Sequence, residues 1–129
     1  MRTNLKDMKT VIINEKPYLL HRNGFVVDGI TMKRCGYKNK KGYVSFANNQ
    51  SLHRHIYKAF ADWTNHRTPD KFPGGSKFWK KLGNQERMDF MWEWCVIHHK
   101  HGTAKGNGFN NLELVSGKAN SIIGNNFDE

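Results

Sequence analysis

Seven histidines occur in the chain's 129 residues, and three of them fall within residues 96–102. Imidazole has an ordinary pKa near 6.5, so it can take or give a proton near neutral pH, and it is a common metal ligand. The adjacent pair His98-His99 closes a short β-favouring run, Cys95-Val96-Ile97. Successive side chains of a strand face opposite ways, so the two rings are predicted to have different jobs and not one shared metal site. A polar, glycine-rich loop follows over residues 100–110. Asn111 then opens a second strand, residues 111–115, with Leu112 and Leu114 on one face. Ser116 is a candidate N-cap for a short helix through Ile123 that Gly124 would end, and that helix carries Asn120. The tail therefore reads strand, long loop, strand, helix, with two histidines and two asparagines at its junctions.

This arrangement resembles the ββα-metal motif of the HNH endonucleases, in particular the phage and intron homing subgroup. The residues that carry the likeness are His99, Asn111 twelve residues later in the pair Asn111-Leu112, and Asn120 nine residues further on. Upstream, Gly42-Tyr43-Val44, Leu52-His53-Arg54 and Ala59-Phe60 are similar to the segment that precedes the motif in these proteins. Tyr18 with Asn23-Gly24 faintly resembles the small N-terminal module often attached to them. The likeness covers residues 96–120 well and 18–60 loosely, while residues 64–94 form a longer stretch than the family leads one to expect.

The resemblance implies that His99 is the general base, that His98 and Asn120 are metal ligands, and that Asn111 orients His99 by a side-chain hydrogen bond or by fixing the loop. It also implies hydrolysis of a phosphodiester to 5′-phosphate and 3′-hydroxyl ends. That reaction needs a water deprotonated near neutral pH, and positive charge for the pentavalent transition state and the leaving 3′ oxygen; a divalent cation supplies the latter. Magnesium or manganese is the expected metal. The family often has a carboxylate where His98 stands, so the site is less charged here and admits zinc or nickel as well. The position two after the base is often aspartate and is His101 here, which reads either as a lost stabilising contact or as a phosphate-facing cation. Arg54 reads equally as a charge-assisted donor to the scissile phosphate or as part of a solvated helix face. His53 is expected to pack beneath the site.

Lys and Arg total 21 against 11 Asp and Glu, a formal net charge of +10, and the pI is near 9.8. Such an excess favours a polyanion, with double-stranded DNA first and an anionic membrane second; no basic amphipathic helix supports the membrane. Lys33, Arg34, Lys38, Lys40 and Lys41 are the densest basic run, and as a phosphate-tracking edge they would bind with strong salt dependence. The two cysteines, Cys35 and Cys95, form no CxxC pair, which excludes a cysteine-based zinc ribbon, and reduced thiols are expected. No run of 18 apolar residues and no signal-peptide core is present. The expectation is an intracellular protein, in the cytoplasm of a bacterial host if phage-encoded, as a monomer or homodimer.

The elements that must position these residues follow from periodicity. Residues 11–13, 18–20, 25–27 and 42–46 are β-favouring runs separated by turn-like Asn14–Pro17, Asn23-Gly24 and Asn48-Asn49. From Ser51, a candidate N-cap, the period becomes helical: Leu52, Ile56, Ala59, Phe60 and Trp63 share a face. Residues 65–76, with two prolines and Gly74-Gly75, read as a loop. Residues 84–94 read as a second helix with Met88, Met91, Trp92 and Cys95 on its apolar side. Trp63 and Trp92 are expected to be core; Trp79, among lysines, is open between packing and base stacking. The fold class is α+β: a small N-terminal antiparallel sheet (residues 1–50, DNA-binding), a helical region with a loop insertion (51–94) and a C-terminal ββα-metal module (95–129), in one compact unit. A metal-dependent HNH endonuclease on double-stranded DNA, with a phage or intron homing role, is the expected function. The rivals are a general HNH nuclease for defence, host-DNA breakdown or packaging, and a non-catalytic DNA-binding protein with a decayed site; RNA binding is a weaker option.

Overall fold

A computed structural model describes residues 7–69 and 72–115. The chain divides into two compact units: Met1–Phe60 with His99–Glu113, and Ala61–His98 with Leu114–Glu129. The fold is α+β, built from small antiparallel sheets and few helices.

In the first unit, β1 (Met8–Ile13), β2 (Lys16–His21), β3 (Val26–Asp28) and β4 (Arg34–Cys35) form a four-stranded sheet in that order. Ile13 pairs with Lys16, so β1 and β2 are joined by the two residues Asn14 and Glu15, at φ 53° and 66°. Two left-handed residues in a two-residue turn match the right-handed twist of the flanking strands. Along β2, Tyr18 and Leu20 are buried by the alternation that a strand imposes. A second sheet holds β5 (Tyr37–Lys38), β6 (Val44–Phe46) and β7 (Gln50–Ser51). The sequence predicts one small sheet here, and the structure has two. Gly36, at φ +104°, lies between β4 and β5; only glycine adopts that backbone without strain, and it redirects the chain from one sheet to the next.

Helix α1 (Leu52–Phe60) follows β7 directly and buries Leu52, Ile56 and Phe60, as its spacing predicts. With Leu20, Val26 and Phe46 these side chains make the core of this unit, each worth about 1.5–3 kcal/mol of burial. Trp63 does not extend the helix. Asp62 accepts hydrogen bonds from the backbone and side-chain nitrogens of Asn65, at 3.3 and 2.9 Å, and this local turn chemistry competes with helix continuation.

The second unit has its own core. Phe72 meets Trp79 and Phe90 edge-on, with ring centroids 5.1 and 4.6 Å apart, and Trp63 is buried too. Trp79, only 1% exposed, donates its indole N–H to the carbonyl of His66, which resolves its role as packing. The predicted loop over 65–76 gives way at Gly75 to a short helix, α2 (Gly75–Trp79). Helix α3 (Asn84–Trp94) matches the predicted span. It buries Met91, and also Arg87, whose guanidinium donates to the carbonyls of Trp63, Thr64 and Trp79 and lies over the Trp79 ring. Strands β8 (Val96–His99) and β9 (Leu112–Val115) pair as a two-stranded sheet. The predicted helix from Ser116 lies outside the described residues.

Candidate active site

Burial alternates along β8: Ile97 and His99 are buried, Val96 and His98 exposed. The two histidines thus differ in environment, as strand geometry requires. His99 is 5% exposed. Its Nε2 lies 2.8 Å from Oδ1 of Asn107, which is itself buried. An amide oxygen can only accept, so Nε2 carries the ring proton and Nδ1 keeps its lone pair. The His99 ring also packs against His53 on α1 and Tyr43, with centroids 4.8 and 5.6 Å away.

The loop that supplies Asn107 is pinned by Asn111. Its Oδ1 accepts the N–H of His101, and its Nδ2 donates to the carbonyls of Gly102 and Gly106, at 3.0, 3.1 and 2.8 Å. Among the described residues Asn111 makes no hydrogen bond to the His99 ring: its bonds hold the loop, and Asn107 meets the ring. Behind the loop sits the Asn23-Gly24 turn. A Cβ on Gly24 would lie 2.3 Å from backbone atoms of Asn107 and Gly108, and Phe109 donates its N–H to the carbonyl of Arg22. On another side, the Thr103 hydroxyl reaches the Lys41 carbonyl at 3.3 Å, and a Cβ on Gly42 would meet that hydroxyl at 2.5 Å. Turns of both sheets therefore close on the loop, and both contacts require glycine.

Burial, and then the neighbouring His99 and Arg54 charges, push the pKa of His53 down to about 4. His53 is neutral at physiological pH, so the ring beside His99 carries no charge there. The buried Nδ1 of His53 has no hydrogen-bond partner among the described residues.

The remaining predicted residues distribute as follows. Arg54 adjoins His53 on α1 and is half-buried. Lys40 and Lys41 are exposed at the tip of the β5–β6 hairpin that rests on Thr103, and Lys38 is exposed on β5. Lys33 ends the β3–β4 connection and Arg34 opens β4 of the other sheet, where it stacks over Phe25 at 4.5 Å. The basic run is thus divided between two sheets. His101 is exposed, and only its backbone N–H is engaged in holding the loop. Asn120 lies outside the described residues. Among the described residues, no group of three or more His, Cys, Asp or Glu could hold a metal. His98, the described half of the predicted ligand pair, is exposed, and no hydrogen bond engages its ring among the described residues. An open imidazole of this kind fits a metal ligand.

Two features of the site escape sequence reasoning. Asn107 reads as loop filler between Gly106 and Gly108, and its only signal is an amide in a glycine-rich stretch near a histidine pair. The other is where the charge resides. Fourteen Lys and Arg against four Asp and Glu belong to the first unit, and seven against seven to the second. The whole excess of +10 therefore lies in the unit that carries His99. No family model matches the chain, and no curated protein or solved structure is significantly similar to it.

Proposed function

We propose that the chain is a metal-dependent endonuclease of the HNH type that hydrolyses phosphodiester bonds in double-stranded DNA. The observation that carries this reading is a buried imidazole held by its neighbour: Asn107 Oδ1 accepts a hydrogen bond from the Nε2–H of His99, in a loop pinned by the three hydrogen bonds of Asn111. A base needs a fixed lone pair, and the Nδ1 of His99 is one. The concentration of positive charge in the same unit supports a polyanionic substrate.

In this mechanism His99 Nδ1 takes a proton from water as the water oxygen attacks phosphorus. The P–O3′ bond breaks, the 3′ oxygen takes a proton from solvent water and leaves as a hydroxyl, and the phosphate stays on the 5′ side. A divalent cation bound by His98 and Asn120 would supply Lewis-acid charge for the pentavalent phosphate and the leaving oxygen. Lys38, Lys40, Lys41 and Arg54 contribute cationic charge along the duplex. A homing role, in which one locus is cut, is the biological setting that the family resemblance favours.

The test is a plasmid assay. Supercoiled DNA carrying the gene's own flanking locus is incubated with the protein in magnesium or manganese, with EDTA and a His99→Ala variant as controls. Conversion to nicked or linear DNA that is lost in both controls is the expected result. Discrete products support homing, and a smear supports a general nuclease. A clear gel shift with no cutting refutes the enzyme and leaves a DNA-binding protein.

A further inference from the structure

The connection between β3 and β4, residues 29–33, is built more tightly than an exposed loop requires. Oδ1 of Asp28 accepts the N–H groups of Ile30 and Thr31, at 2.8 and 3.2 Å. The Asp28 carbonyl accepts the N–H of Met32, the Asp28 N–H donates to the Lys33 carbonyl, and Gly29 donates to Pro17. The other carboxylate oxygen of Asp28 is paired with Lys16 at 2.6 Å. Met32 is held at φ +60°, a conformation that costs a non-glycine residue about 1–2 kcal/mol.

What this scaffold presents is apolar. Ile30 is 68% and Met32 64% exposed, and Ile12, at the same end of the four-stranded sheet and paired in register with Pro17, is 65% exposed. Neither Ile30 nor Met32 contributes to the core. Met32 adjoins the exposed cations Lys33 and Arg34, with Ile30 two residues before it, in the unit that carries the chain's whole positive excess. Of the two carboxylates at this end, Asp28 is paired with Lys16, while Glu15, in the β1–β2 turn, is exposed.

We propose that this loop is a DNA wedge: Ile30 and Met32 insert between base pairs of the duplex and unstack them, while Lys33 and Arg34 hold the flanking phosphates. The proposal rests on double-stranded DNA being the substrate. Apolar wedges flanked by cations kink duplexes in this manner, and unstacking costs a few kcal/mol per step that the added contacts must offset. A loop already fixed by its own hydrogen bonds loses little entropy on insertion. Charge complementarity favours DNA over an apolar protein surface.

The experiment uses the full chain in EDTA, so that metal-dependent cutting is silent. Relaxed plasmid is incubated with the protein and a metal-independent topoisomerase, then deproteinised, and its linking-number distribution is read on a gel. The parent protein is expected to lower the linking number. The double variant Ile30→Ser, Met32→Ser should lose that shift while still retarding the plasmid; both side chains are exposed, and an unchanged thermal midpoint verifies folding. A variant that shifts the linking number as the parent does overturns the wedge. So does a parent that retards DNA without any shift, and in that case the nuclease reading stands. A parent that does not retard DNA at all overturns both. Sedimentation with phosphatidylcholine–phosphatidylglycerol vesicles that depends on Ile30 and Met32, without a linking-number change, overturns the wedge in favour of a membrane contact.

Discussion

Replacing Asn107 by leucine tests how His99 is held. Leucine fills a similar volume but offers no acceptor to the Nε2–H that Asn107 Oδ1 now meets at 2.8 Å. Nε2 faces the buried Asn107, so on that side of the ring water cannot easily substitute. A buried donor left without a partner costs about 1–3 kcal/mol. The ring escapes that cost by rotating or by moving its proton to Nδ1, and either change removes the lone pair that would deprotonate water. If the full cost falls on the reactive arrangement, cleavage slows roughly 5- to 150-fold. Asn107→Asp retains an acceptor oxygen and is expected to keep more activity than Asn107→Leu. Initial rates of plasmid nicking in manganese, measured well below the thermal midpoint, give the comparison. Imidazole nitrogen–proton correlation spectra give a second readout that needs no DNA: the parent should show the Nε2–H tautomer of His99, and the leucine variant should not. Parent-like nicking and an unchanged His99 tautomer in Asn107→Leu would refute the reasoning.

Three further outcomes follow from the same structure. Gly24→Ala places a Cβ 2.3 Å from the backbone of Asn107 at φ +101°; it should cost more than about 2 kcal/mol and depress nicking, and parent-like melting with parent-like activity would contradict the buttress. Arg87→Met strips the charged donor from three carbonyls, a loss of at least about 3 kcal/mol; Arg87→Lys should recover only part, since one ammonium cannot span the three, and an unchanged urea midpoint in either variant would count against this role. Burial, reinforced by the nearby Lys58 and Arg54 charges, also pushes His55 down to about 4, like His53. The unfolded chain takes these protons near pH 6.5 and the folded chain only near pH 4, so stability is full above the first value and falls between the two. Allowing for the part of each ring that water reaches, the loss is about 1–2 kcal/mol apiece. Urea midpoints should therefore drop on going from neutral to acid pH, less steeply for His55→Gln, and a flat profile would exclude the effect.

Much of the architecture was legible because it rests on periodicity. Tyr18 and Leu20 alternate inward on β2, Leu52, Ile56 and Phe60 repeat on α1, and His98 and His99 part company because a strand has two faces. What was not legible depends on partners distant in sequence. Arg87 looks like a solvated helix cation until the chain around Trp63 and Trp79 offers it carbonyls. Asn107 looks like turn chemistry until His99 and the Gly24 turn enclose it. Trp63 follows the helical period but leaves it, because the local bonds of Asp62 outweigh the period.

The stretch Ala61–His98 is interposed between the two parts of the first unit. This sets an order of maturation as the chain is synthesised. Both sheets, the Gly24 turn, Tyr43 and His53 precede the interposed stretch, while His99, Asn107 and Asn111 follow it. Closing a unit across a longer loop costs little in equilibrium stability, since that entropy grows only with the logarithm of loop length. It does decide timing. The nascent chain can complete both of these sheets while His99 and its holders are still unmade, and any product that stops short of Asn111 lacks the side chain that pins the loop. The candidate site is thus completed late, with nearly the whole described chain already made.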